Sequence, residues 1–75
     1  MTRDWLKDAR TKQRLTMKQM ADALGITEAY YSLIESGNRQ QKMDVTIAFK
    51  LGAILGLSLE DIMTAEAKLF GYETR

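Results

Sequence analysis

The stretch Thr16–Gly37, TMKQMADALGITEAYYSLIESG, decides the fold. It carries two apolar stripes at helical spacing, separated by Gly25-Ile26-Thr27 and closed by Ser36-Gly37. Thr16 and Gln19 lie three positions apart, so each side chain can satisfy the other's free backbone donor and start a helix. Met20, Ala21 and Leu24 form the inward stripe of that helix, and Gly25 ends it where a left-handed backbone suits glycine. Thr27 caps a second helix over Glu28 to Glu35. Glu28 in its first turn complements the helix dipole, Tyr31 and Ile34 point to a core, and Gly37 stops it. The result is a pair of short helices joined by a tight turn.

The flanking sequence extends the helical pattern in both directions. A first helix is expected from about Arg3 to Gln13, with Trp5, Leu6 and Ala9 inward. After the polar and basic loop Asn38-Arg39-Gln40-Gln41-Lys42, Asp44 caps a fourth helix that carries Val45, Ile47, Ala48, Leu51, Ile54 and Leu55 and ends at Gly56. Ser58 and Asp61 cap a fifth, with Leu59, Ile62 and Met63 as its apolar positions, reaching about Phe70 before Gly71. The expected fold class is all-α with five helices. The expected organisation is a single domain over residues 1–75, with its core in 3–64 and a C-terminal extension in 65–75.

Composition narrows the chemistry. Among 75 residues there is no cysteine, histidine or proline. Disulfides and Cys/His zinc sites are excluded, and no cofactor or metal is expected. A chain of this size buries only part of its apolar surface, so stability must come from regular helix packing or from self-association. No apolar run approaches the roughly 20 residues that span a membrane. The N-terminus lacks an apolar signal core, so a cytoplasmic location is expected. Net charge is only +1, but it is uneven. Residues 1–18 carry Arg3, Lys7, Arg10, Lys12, Arg14 and Lys18 against Asp4 and Asp8, whereas residues 43–75 carry more acidic than basic groups. One face meeting phosphates would explain that asymmetry, and so would a solvated helix face.

Residues 6–63 resemble the phage lambda repressor/Cro-like (XRE) helix-turn-helix family. The motifs are L-K-x-x-R at Leu6–Arg10, L-T-x-x-x-x-A-x-x-L-G-I-T at Leu15–Thr27, Y-x-S-x-I-E-x-G at Tyr30–Gly37, and L-G-L-S-L-E-D-I at Leu55–Ile62. The resemblance implies a DNA-binding domain of bacterial or phage origin whose second motif helix enters the major groove of double-stranded DNA. It also implies a buried structural ion pair between Arg10 and Glu35. The outward positions Glu28, Ala29, Ser32 and Leu33 would then read bases: Glu28 by accepting from cytosine, Ala29 and Leu33 by touching thymine methyls, Ser32 by donating or accepting. Phosphate contacts would come from the backbone of Met17, from Lys18, Gln19 and Thr27, and from Asn38, Arg39, Gln40 and Lys42.

Four departures from the family pattern matter. Relatives often place glutamine where this chain has Met17, which cannot donate a side-chain hydrogen bond. Leu33 replaces a residue that is commonly polar or basic. Tyr31 is also larger than the usual aliphatic residue, and Ala9, smaller than the usual leucine, with Trp5 is expected to compensate. The function that the resemblance implies is a sequence-specific transcriptional regulator, in the repressor mode, and it is expected to act as a homodimer on a palindromic operator. The expected dimer surface is the fifth helix and tail: Leu59, Met63, Ala67, Leu69, Phe70 and Tyr72. An alternative uses the same fold as a protein-interaction module, such as an antitoxin or anti-repressor, favoured by Leu33 and the near-neutral charge. No nucleophile–base pair, phosphate loop or isolated carboxylate pair suggests an enzyme.

Overall fold

A computed structural model describes residues 2–37 and 43–70. Five helices are formed among them: α1 (Asp4–Lys12), α2 (Met17–Leu24), α3 (Glu28–Ser36), α4 (Val45–Leu55) and α5 (Leu59–Phe70). The expected phosphate-contacting loop residues Asn38, Arg39, Gln40 and Lys42 lie outside the described residues, as do Tyr72 and the Phe70 side chain.

The local signals produce the expected ends. Thr16 Oγ1 accepts from the Gln19 N–H at 3.1 Å, and the Thr16 N–H donates to Gln19 Oε1 at 2.8 Å, completing the reciprocal cap. Thr27 and Asp44 cap α3 and α4 in the same sense, by accepting from Tyr30 N and Ile47 N. Gly25 takes the left-handed conformation at φ 74° and turns the chain from α2 into α3. The turn after α1 has no glycine. Arg14 takes the left-handed position there, at φ 59°, while Leu15 N donates back to Arg10 O across the helix end.

The core is built where the stripes meet. Leu6, Met20, Ala21, Leu24, Tyr31, Ile34, Ile47, Ala48, Leu51, Leu55 and Ile62 are buried, with Trp5, Ala9 and Leu15 packed partly against them. α2 packs on α3 and α4, α3 on α1, and α4 on α5. Two side-chain bonds fasten helix ends across this core: Gln13 Nε2 to Leu55 O at 2.9 Å, and Lys50 Nζ to Leu24 O at 3.4 Å.

Packing decides what the sequence pattern left open. Val45 is 73% exposed, because the α4 stripe that faces the core runs through Ile47, Ala48, Leu51 and Leu55. Phe49, unassigned by the sequence pattern, is 69% exposed on the same side as Val45, four residues away. Arg3 and Arg10 do not belong to a basic face, because both are buried and paired. The exposed N-terminal cations are Lys7, Lys12, Arg14 and Lys18.

Gly52 sets how closely α4 and the α4–α5 turn approach. A Cβ on Gly52 would lie 2.6 Å from Leu57 O, and Leu57 N donates to Gly52 O at 3.0 Å. Gly52→Ala is therefore expected to destabilise the fold by about 1–3 kcal/mol through overpacking. Urea denaturation measures this; an unchanged midpoint would mean that the turn yields without cost.

Candidate nucleic-acid interface

Two buried arginines hold α3 from its C-terminal half. Arg10 makes a two-pronged contact with Glu35, Nε to Oε2 at 2.9 Å and Nη2 to Oε1 at 3.0 Å, and its Nη1 donates to Leu15 O at 2.8 Å. The Tyr31 hydroxyl donates to Glu35 Oε2 at 2.7 Å. One carboxylate thus receives three donors, from α1 and from its own helix, and the expected Arg10–Glu35 pair is present. The Glu35 hydrogen bond pushes the Arg10 guanidinium further up from its already high ordinary value. Burial, and then the hydrogen bond to the Glu35 carboxylate, push the Tyr31 phenol well above its ordinary range.

Arg3 forms a second clamp that sequence reasoning missed. Its Nε lies 3.0 and 2.8 Å from the two carboxylate oxygens of Glu66 on α5. Its Nη1 donates to Ile34 O and its backbone N–H to Glu35 O at 2.8 Å. A positive side chain therefore covers the negative end of the α3 dipole. The Trp5 indole N–H donates to Glu66 Oε2 at 3.0 Å, so Glu66 is also saturated. No buried side-chain nitrogen or oxygen among the described residues lacks a partner. The sequence signal was weak, since Arg3 and Glu66 are separated by 63 positions.

With its C-terminal half fastened, α3 leaves its opposite side open. Glu28, Ala29, Ser32 and Leu33 are all exposed. Thr27 Oγ1 and Thr27 O take up the N–H groups of Tyr30 and Tyr31, so those of Glu28 and Ala29 remain outward. At the start of α2 the cap takes up Gln19 N and Met20 N. The N–H groups of Met17 and Lys18 are left over as donors at a helix N-terminus. The Gln19 oxygen is occupied by the cap while its amide nitrogen stays available. Lys18 is exposed and Met17 is half-buried.

A groove joins these elements. It is lined by Thr2, Asp4, Lys7, Met17, Ser32, Glu35 and Ser36, so α1, the first turn of α2 and the C-terminal half of α3 share one surface, with Ser32 common to it and to the outward side. Lys7 thereby joins the site. In sequence it was one of several cations on the first helix, and only packing distinguishes it.

The helix-turn-helix family matches residues 6–62, which include most of α1, all of α2 to α4 and the first turn of α5. The chain belongs to this family. Its described residues form the five-helix, all-α lambda-repressor-like fold. This helix-turn-helix protein is 41% identical over 56 residues to the uncharacterized HTH-type transcriptional regulator YqaF of Bacillus subtilis (strain 168), covering 75% of this chain and 71% of that one. It is 35% identical over 72 residues to the uncharacterized HTH-type transcriptional regulator YqaE of the same strain. That match covers 93% of this chain but only 60% of the relative, so the chain spans about three fifths of that protein's length. No solved structure matches the chain significantly. Arg3 and Glu66 both fall outside the segment matched by the family. No described helix is long and apolar enough to cross a membrane.

The two clamps make separable predictions. Glu35→Gln leaves the buried Arg10 charge without its carboxylate and is expected to cost about 3–5 kcal/mol, whereas Arg10→Met with Glu35→Leu should recover most of that loss. Urea denaturation of the single and double variants checks this, and an equal loss in both would refute a stranded-charge origin. The folded protein also holds the Tyr31 proton more tightly than the unfolded chain does. Stability from this source is fully present below pH 10.0, the ordinary phenol value, and is lost as pH rises beyond it. Tyr31→Phe, measured by denaturation from about pH 8 to pH 11, should therefore lose part of its deficit relative to the parent at the alkaline end.

Proposed function

We propose that the chain is a DNA-binding transcriptional regulator, a repressor, that places the first turns of α3 in the major groove of an operator. The observation that carries this reading is the combination of an α3 anchored through Ile34 and Glu35 with an outward side formed by Glu28, Ala29, Ser32 and Leu33. A recognition helix must present side chains to base edges from a rigid support. Glu28 accepts from the amino group of cytosine, Ser32 donates or accepts, and Ala29 and Leu33 meet thymine methyls. No arginine lies on this surface, so sequence preference draws in part on DNA shape.

Phosphate contacts come from the backbone N–H groups of Met17 and Lys18, from the side chains of Lys18 and Lys7, from the Gln19 amide, and from the hydroxyl of Thr27. Asn38, Arg39, Gln40 and Lys42 follow the recognition helix in sequence and extend the same grip. One small module neutralises few phosphates. Two copies on a palindromic site, with half-sites about 34–36 Å apart along one face of the duplex, supply the remaining affinity. The two relatives' names support the regulator reading.

Leu33 is 42% exposed beside the partly exposed Tyr30, and this favours a second reading in which the same surface holds a protein partner. Fluorescence anisotropy on random duplex DNA separates the two. A regulator should lose about two decades of affinity between about 50 and 200 mM salt, the slope of three to four neutralised phosphates. Absence of binding even at low salt would sink the regulator reading and favour the interaction module. A selection from random duplexes then tests the residues. Arg39→Ala should weaken every site alike, and Glu28→Gln should change the preferred base. Identical preferences for Glu28→Gln and the parent would remove Glu28 from the readers.

A further inference from the structure

The two clamps on α3 tie different parts of the molecule to it. Arg10, on α1, meets Glu35 on α3 and donates to Leu15 O, just ahead of the α2 cap. It therefore sets the start of α2 as well as the end of α3. Arg3 reaches in the other direction. Its Nη1 and backbone N–H donate to the Ile34 and Glu35 carbonyls, and its Nε meets Glu66 on α5. α5 itself packs on α4, so this bridge carries its hold across to α3. Arg3 and Glu66 are both buried. Both also lie outside residues 6–62, so the bridge is additional to the segment that the family shares.

We propose that Glu66 is a positioning residue for base recognition: through Arg3 it sets the tilt of α3, while the grip on phosphate rests on the separate Arg10 centre. This rests on the regulator reading. A guanidinium is planar, so a carboxylate held against its Nε edge also fixes where Nη1 points. Glu66 thus aims Nη1 at Ile34 O. The Trp5 indole N–H, 3.0 Å from Glu66 Oε2, holds that carboxylate in turn.

Ile34 lies six positions beyond Glu28, about 9 Å along the helix axis. When the aim is lost, the far end of α3 shifts, and the helix carries that shift to Glu28, Ala29 and Ser32 as a change of tilt. Contacts to base edges are short and directional, so a tilt weakens them first. The phosphate donors at the start of α2 have a different support. The N–H groups of Met17 and Lys18 are set by the Thr16–Gln19 cap and by Arg10 at Leu15 O. None of these bonds involves Arg3 or Glu66.

Glu66→Gln keeps the shape of the side chain and removes its charge. Its affinity for an operator selected from random duplexes should fall about tenfold, the size of one lost base contact. Its affinity for random duplex should stay within about twofold of the parent's, with the same salt slope. A protein that is only destabilised behaves differently, because a smaller folded fraction lowers both affinities by one factor. Trp5→Phe is a milder second variant, and it carries both readouts if Glu66→Gln loses its helicity by circular dichroism. It removes one donor from Glu66 and leaves the Arg3 bridge, so operator affinity should fall about threefold against random duplex. The other readout uses no DNA: amide residual dipolar couplings of the free variant should change along α3 and keep α1 and α2 in their parental orientation. A parallel loss of both affinities, an unchanged operator affinity, or α3 couplings that do not move would overturn the proposal. If the parent binds operator and these results appear, only this proposal fails. A parent that binds no DNA defeats the regulator reading, and the couplings alone then decide whether Glu66 orients α3.

Discussion

Glu35 is the point on which the rest of the structure depends. Its carboxylate is buried and must be fully satisfied, because a buried charge without partners costs several kcal/mol. Arg10 brings two donors from α1, and Tyr31 brings one from the same helix. This fixes the angle at which α3 leaves the core. The same guanidinium reaches Leu15 O, so the α1–α2 connection is tied to the same centre. A hydrophobic contact in that place would hold the helices together without fixing their rotation. A two-pronged, planar contact restricts orientation as well as distance.

The Arg3–Glu66 clamp extends that control to the end of the chain. Arg3 covers the C-terminal carbonyls of α3 while Glu66 comes from α5. The helix whose first turns face outward is therefore held at its other end by residues from α1, from the segment before α1, and from α5. A rigid support behind an exposed helix face is what recognition of base edges requires. Both charged networks are internal, so four of the chain's charges contribute to architecture and not to the surface field. The two pairs cancel, so the net charge is unchanged, and the exposed N-terminal surface carries Lys7, Lys12, Arg14 and Lys18 against Asp4 and Asp8.

Much of the fold was legible because its signals are local. Thr16 with Gln19, Thr27, and Asp44 each act within one helical turn, and each forms the cap its spacing implied. Gly25, Gly37 and Gly56 all take positive φ at helix ends. The boundary after α1 was less legible because Arg14, not glycine, occupies the left-handed position. The side of Val45 was left open for a different reason. A helix rich in apolar residues on several sides does not declare which stripe is buried until its neighbours are in place. Phe49 escaped notice by the same ambiguity.

The sequence by itself determined the five helices and the tight α2–α3 turn, because caps, glycines and helical periodicity act over a few residues, whereas the partnership of Arg10 with Glu35, 25 positions apart, was implied by the family resemblance. Only the tertiary structure decided that Arg3 is an internal strut, that Lys7 shares a groove with Met17 and Ser32, and that Val45 and Phe49 face outward. Those outcomes depend on which surfaces meet across the core. Side chains 63 positions apart become neighbours only after packing, and no local pattern encodes their meeting.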